Sequence, residues 1–180
     1  MAIENFKTIY DQLDVLLSQT KLDDVSSEST GFAELPEGYY LCEVEKVDLK
    51  PTKTTQLPMV AFQFTISEEG QEVVVKDDKI SFKAIKGTKN RKIFVNYVLK
   101  DDRSVRRFAA DMLKFEAEPG EPLLPKEAFT SSETIEDALD CLIGMRIYIQ
   151  VSTTTNDDNT KSTWNNLISW KRAAILELPM

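Results

Sequence analysis

The most distinctive chemistry in this sequence is a concentration of positive charge between residues 79 and 107. This segment of 29 residues carries ten lysines and arginines against two acidic residues, a net charge of +8, whereas the other 151 residues carry −16. The basic residues are Lys79, Lys83, Lys86, Lys89, Arg91, Lys92, Lys100, Arg103, Arg106 and Arg107. This asymmetry predicts a local surface for an anionic ligand, and the alternative is a solvated face balanced by acidic neighbours in space.

Aromatic residues on the polar faces of predicted strands are a second signal. Phe94 shares a face with Lys92 on one predicted strand, and Tyr148 shares a face with Arg146 on another. Trp170 directly precedes two further basic residues. Proteins that hold single strands of nucleic acid combine cations that bind phosphates with aromatic rings on which bases stack. The alternative is that helices cover these faces and that the aromatic rings belong to a second core.

Together the two signals predict a nucleic-acid-binding site. We expect the cations within residues 83–92 to contact phosphates, so that the affinity falls as the salt concentration rises. The candidate residues are Lys79, Lys83, Lys86, Lys89, Arg91, Lys92, Phe94, Arg146, Tyr148 and Trp170.

The sequence offers little for catalysis. It contains no histidine, which removes the commonest general base and the commonest metal ligand. Its two cysteines, Cys42 and Cys141, cannot supply a four-ligand zinc site, and Cys141 is expected in the core. Two acid-x-lysine triplets, at residues 48–50 and 77–79, match the magnesium site of a restriction-type nuclease at chance-level spacing. We therefore predict a protein that is not an enzyme and that uses no metal or cofactor.

The composition predicts one ordinary domain with a short appendage. Of the 180 residues, 42% are hydrophobic and 29% are charged, so the chain can bury a core. No apolar run approaches the roughly 20 residues that a membrane-spanning helix needs. The N-terminus lacks the basic start and apolar block of a signal peptide. We expect a cytoplasmic protein without a membrane partner.

The apolar spacing near the N-terminus predicts an amphipathic helix over residues 1–22. Its stripe, at gaps of three and four, is Ile3, Phe6, Tyr10, Leu13 and Leu17. The small, polar and acidic residues 23–34 predict a linker. The helix must bury its stripe, either on its own domain or against another subunit, and the second possibility predicts a homo-oligomer.

After the linker the apolar pattern changes to period two, which is typical of β-strands. The predicted strands cover residues 39–49, 58–66, 72–76, 79–85, 92–99, 145–153 and 163–170. In the strand over 79–85, we expect Ile80, Phe82 and Ala84 to face the core.

Two helices are predicted among the later strands. Asp101 or Asp102 caps a helix near 102–115, and Val105 is expected in its apolar stripe. A second helix, near 132–143, ends at Gly144. Strands, a helical connection and a final strand pair fit an OB-like antiparallel β-barrel over 35–174, followed by a C-terminal tail over 175–180.

Several short motifs resemble those of a known family. They are Leu35-Pro36-x-Gly38-x-Tyr40, Leu57-Pro58-Met59-Val60-x-Phe62-x-Phe64-x-Ile66, Lys89-Asn90-Arg91-Lys92-x-Phe94, Leu142-Ile143-Gly144 and Asn165-Asn166-x-Ile168. Over roughly residues 33–172, the chain resembles the single-stranded DNA-binding proteins encoded in the replication and recombination modules of phages that infect Gram-positive hosts.

The resemblance implies an OB fold and sequence-independent binding of single-stranded DNA in the cytoplasm of the host cell. It also implies a phage recombinase or replication proteins as possible partners. The competing interpretation is a phage protein-interaction module, such as an inhibitor of a host factor or an assembly factor, that does not bind DNA.

Overall fold

In a computed structural model, the chain divides into two units, Met1–Glu34 and Leu35–Met180. The structure describes residues 10, 11, 13–15, 17 and 18 of the first unit and residues 35–179 of the second. The described residues of the first unit have helical backbone. The predicted helix over 1–22 and linker over 23–34 lie otherwise outside the described residues, and both remain predictions.

The second unit is built mainly from β-strands, as the sequence predicts. The strands within residues 35–179 are β1 (Gly38–Pro51), β2 (Pro58–Ile66), β3 (Gly70–Lys76), β4 (Lys79–Ile85), β5 (Lys92–Val98), β6 (Glu116–Glu118), β7 (Glu121–Pro122), β8 (Arg146–Thr155) and β9 (Lys161–Ile168). Strands β6 and β7 form a separate two-stranded sheet, and the other seven form one sheet with antiparallel pairing.

The long strand β1 organises the main sheet by pairing along both edges. One edge pairs with β2, from Cys42 opposite Ile66 to Pro51 opposite Pro58, and contains a bulge between Val44 and Lys46. The other edge pairs with β8, and β8 pairs in turn with β9. Strand β5 pairs with the far edge of β2. The β3–β4 hairpin is joined to β1 at a single pair of residues, so most of it projects from the sheet.

Period-two alternation directs one face of each central strand into the core. Val60, Phe62, Phe64 and Ile66 of β2 are at most 1% exposed. Burying one phenylalanine in this way stabilises the fold by about 1.5–3 kcal/mol relative to leaving it exposed. The Phe62 ring also packs edge-on against Tyr97 of β5, at 6.0 Å between ring centroids. The strand pattern therefore determines which side of the sheet remains for solvent or ligand.

The two predicted helices are present within the described second unit and begin at the expected caps, but both end earlier than predicted, at Met112 and Asp140. Helix α1 (Asp102–Met112) has a reciprocal capping box between Asp101 and Ser104. Helix α2 (Ser132–Asp140) begins in the same manner at Ser131. A short 3-10 helix (Lys126–Phe129) precedes α2, and helix α3 (Trp170–Ile175) follows β9. No helix in the described parts of the chain is long and apolar enough to cross a membrane.

Several local predictions are wrong. Ile80 and Ala84 do not face the core but are exposed, Ile80 at 68%, because most of the β3–β4 hairpin projects from the sheet. Val105 is 41% exposed, so the buried stripe of α1 is narrower than predicted. Cys141 is exposed rather than in the core, since α2 ends one residue before it. The final strand ends at Ile168, and Trp170 begins α3 instead of closing the sheet.

Candidate nucleic-acid interface

The outer face of β2 and β5 presents an exposed aromatic ring. Phe94 lies opposite Gln63 in the β2–β5 pairing, and Lys92 lies opposite Thr65. Because the flanking Ile93 is buried in the core, alternation along β5 directs Phe94 outward. Its side chain is 62% exposed, whereas most large aromatic residues of the sheet are buried. The ring provides a surface on which a planar ligand group can stack.

A compact network of hydrogen bonds lies beside this ring. Glu45, at the bulge of β1, uses one carboxylate oxygen, Oε2, to accept bonds from three side chains. The donors are Lys92 Nζ at 2.6 Å, Thr65 Oγ1 at 2.8 Å and Gln63 Nε2 at 2.9 Å. The Lys92 bond is the main reason, followed by the Thr65 and Gln63 bonds, that the pKa of Glu45 falls to about 2. Lys92 is therefore partly neutralised in this structure.

A cleft of about 460 Å³ opens where the end of β5 meets the start of α1. Residues 95–98 of β5 line one side, and Asn165 of β9 lines another. Three cations from the segment after β5 also line it, namely Lys100, Arg103 and Arg107. The basic cleft therefore lies at the end of the strand that carries Phe94.

The acidic residues of the cleft are already engaged. Asp101 accepts the Ser104 backbone N–H at 2.8 Å, which lowers the pKa of that carboxyl. Asp111 accepts a bond from the Tyr97 hydroxyl at 2.8 Å and pairs with Lys114 at 2.7 Å. Among the described residues, the ion pairs involve Lys46, Lys92, Arg106 and Lys114. The cleft cations are therefore available to an external anion.

The basic loop after β4 is held rigidly by a buried hydroxyl. Thr88 is 2% exposed, and its Oγ1 accepts the Gly70 N–H at 2.8 Å. The Glu69 carboxylate accepts the backbone N–H groups of Thr88 and Lys89, and the Thr88 backbone bond is the main cause of its lowered pKa. This anchoring leaves the side chains of Lys86 and Lys89 exposed at the surface.

Lys92 shares the outer face of β5 with Phe94, but Lys79, Lys83 and Arg146 lie on other strands. Lys79 and Lys83 lie on the projecting hairpin, where Lys83 is opposite Glu72. Arg146 and Lys92 line a separate groove of about 570 Å³. That groove also contains three carboxylates, from Glu43, Glu45 and Glu68. While the Glu45 carboxylate is bonded to Lys92, the charge of this groove does not favour a polyanion, so the basic cleft is the more favourable of the two for phosphates.

Two predicted aromatic residues are covered by the C-terminal segment. Tyr148 is 2% exposed and belongs to a small cluster with Ala173 and Leu178, and its hydroxyl donates to the Pro179 carbonyl. Trp170 packs edge-on against the Tyr148 ring at 6.1 Å. Tyr148 therefore offers no free face for stacking, and Trp170 is only partly exposed, so neither ring belongs to the candidate interface. The predicted tail over 175–180 is part of this packing through Leu178.

Several residues of the interface are not among the site residues that the sequence predicts. Lys100, Arg103 and Arg107 belong to the basic segment but not to that predicted set. Their signal is the spacing of Arg103 and Arg107, four apart after the Asp101 cap, which places them on one side of α1. Trp164, 47% exposed, donates its indole N–H to Thr154 Oγ1 at 2.9 Å and directly precedes Asn165 of the cleft.

The part of the chain that the structure describes contains no group of three or more cysteine or acidic side chains that could hold a metal ion. Asp48, from one acid-x-lysine triplet, pairs instead with Lys46 at 3.5 Å. Asp77 and Asp78, from the other, form the tight turn of the β3–β4 hairpin with positive φ angles. Neither triplet is built into a metal site.

No protein-family model and no curated protein matches this sequence.

Proposed function

We propose that this protein binds single-stranded DNA without sequence preference, along the outer face of β2 and β5. The observation that carries the proposal is the 62% exposure of Phe94 on the strand that leads into the basic cleft. A base stacked on such a ring contributes about 1–3 kcal/mol to binding and does so for any base. The neighbouring cations then bind the phosphates that follow it.

The connectivity of the sheet supports an OB-like fold. Strands β1, β2 and β5 are consecutive neighbours, the helices follow, and β8 and β9 complete the sheet through the second edge of β1. We infer from this order a partly open five-stranded barrel, with the β3–β4 hairpin as an insertion. OB folds bind oligonucleotides on their second and third strands, which here correspond to β2 and β5.

The charge distribution supports sequence-independent contacts. Lys100, Arg103 and Arg107 carry long side chains suited to phosphate oxygens, and phosphate contacts carry no sequence information directly. The rest of the chain is strongly acidic, so non-specific attraction elsewhere is weak. The phage replication and recombination setting, its protein partners, and assembly through the N-terminal helix are further parts of this proposal.

The direct test is a titration of fluorescently labelled oligothymidylate, followed by anisotropy at several salt concentrations. A matched duplex serves as the control. We expect tighter binding of the single strand, with a slope of log affinity against log salt of about −0.7 for each phosphate contacted. Absence of binding at about 50 mM salt would overturn the proposal.

A second candidate function, a protein-interaction module, is favoured by the tip of the β3–β4 hairpin. Val75 and Ile80 form a cross-strand pair there, and each is 68% exposed. Val73, on the same face of β3, is also 40% exposed, and contiguous exposed apolar patches mark protein-interaction sites. This function predicts that the protein shows no salt-sensitive DNA binding. It also predicts a complex between this protein and a purified partner protein, which serine substitutions at Val75 and Ile80 abolish.

A further inference from the structure

The network around Glu45 has the geometry of an anion site. Three donors of different types, an ammonium, a hydroxyl and an amide, converge on a single carboxylate oxygen at 2.6–2.9 Å. They come from β2 and β5, whereas the carboxylate comes from the bulge of β1. A phosphate oxygen has the same negative charge and the same capacity to accept hydrogen bonds. The donors can therefore bind either group.

We propose that Gln63, Thr65 and Lys92 form a phosphate-binding site that the Glu45 carboxylate occupies in the free protein. The site rests on the proposed function, since its ligand is the backbone of the bound strand. Gln63 lies opposite Phe94, and Lys92 is two residues before Phe94 on the same face of β5. A nucleotide stacked on the ring brings its own phosphate to this part of the face.

The Glu45 side chain is placed so that it can leave. It is 44% exposed, so water can replace the hydrogen bonds that the carboxylate gives up when it turns away. Glu45 has no register partner on β2, because it is the extra residue of the bulge, so movement of its side chain breaks no strand pairing. The carboxylate therefore competes with phosphate for the same three donors. The apparent affinity for DNA is the affinity of the open site multiplied by the fraction of molecules in which the site is open.

Substitution of Glu45 tests the site. We expect Glu45→Ala to bind oligothymidylate about fivefold more tightly than the wild type, because the competitor is gone. Glu45→Gln, which keeps the side-chain length, should show a smaller gain in the same direction. The gain should fall below about twofold when Lys92→Met is also present, because the freed site then lacks its cation.

Asp48→Ala is the matched control. Asp48 is also a β1 carboxylate in a lysine pair, but within the described part of the chain its ion pair is with Lys46 only, at 3.5 Å. Asp48→Ala should change the affinity for oligothymidylate by the same factor whether or not Lys92→Met is also present. Thermal unfolding of each variant establishes that it is folded.

The possible outcomes distinguish failure of the phosphate site from failure of the proposed function. Binding by the wild type with no gain in either Glu45 variant would overturn the phosphate site alone. A gain that persists with Lys92→Met would also overturn it, because Glu45 would then act only as a repelling charge. No binding by the wild type or by Glu45→Ala would overturn the proposed function and the site together.

Discussion

Replacement of Phe94 by alanine separates binding from stability. The side chain is 62% exposed, so its truncation removes little buried area and should change the free energy of unfolding by no more than about 0.5 kcal/mol. In the complex, the same truncation removes the stacking surface for one base. That loss is about 1–3 kcal/mol, which corresponds to a roughly 5- to 150-fold weaker affinity for single-stranded DNA.

Anisotropy titrations with oligothymidylate measure the affinity, and urea unfolding measures the stability. Ile80→Ala is the matched control, because it truncates an apolar side chain that is equally exposed but lies on the β3–β4 hairpin. We expect it to change neither quantity. Phe94→Trp should retain binding, since the larger ring also stacks. Unchanged affinity in a folded Phe94→Ala variant would refute the assignment of this face.

Three further predictions concern the surrounding network. Alanine at both Arg103 and Arg107 should weaken binding and reduce the magnitude of the salt slope by about 1.4 in anisotropy titrations, because two phosphate contacts are lost. The pKa of Glu45 is about 2 in the folded protein, against an ordinary value of 4.5. The contribution of its carboxylate to stability is therefore complete above pH 4.5 and is lost as the pH falls towards 2. The difference in unfolding free energy between the wild type and Glu45→Gln should shrink over that range. Thr88→Val leaves the Gly70 N–H without its partner and should lower the unfolding free energy in urea by about 1–3 kcal/mol.

Local sequence patterns predicted the strands and the helix starts well. Alternation over β2 and β4 gives their bounds as the structure has them, because a strand of period two must end where its turn residues begin. The Asp101 and Ser131 caps depend on hydrogen bonds to residues three positions along the chain, so the local sequence predicts them as well. Alternation does not tell whether a strand lies in the sheet or projects from it. The pattern therefore predicts Ile80 in the core, although the hairpin projects from the sheet.

The candidate site was only partly predictable for the same reason. Phe94 and Tyr148 have the same sequence context, an aromatic residue beside a cation on the polar face of a strand. Their fates differ because α3 and Leu178 cover Tyr148, whereas Phe94 remains open. Covering by a distant segment is a tertiary effect that no local pattern contains. The assembly of β5, α1 and β9 around one cleft depends likewise on the pairing of the whole sheet.

Ultraviolet crosslinking of the protein to oligothymidylate, followed by trypsin digestion and mass spectrometry, tests the central claim most directly. Cleavage after Lys92 and Lys100 releases residues 93–100, a peptide that contains Phe94 and most of β5. A base stacked on the Phe94 ring must leave its adduct on this peptide. We predict that it is the main crosslinked species and that it disappears in Phe94→Ala. Crosslinks confined to the β3–β4 hairpin or to the C-terminal segment would contradict the proposed interface.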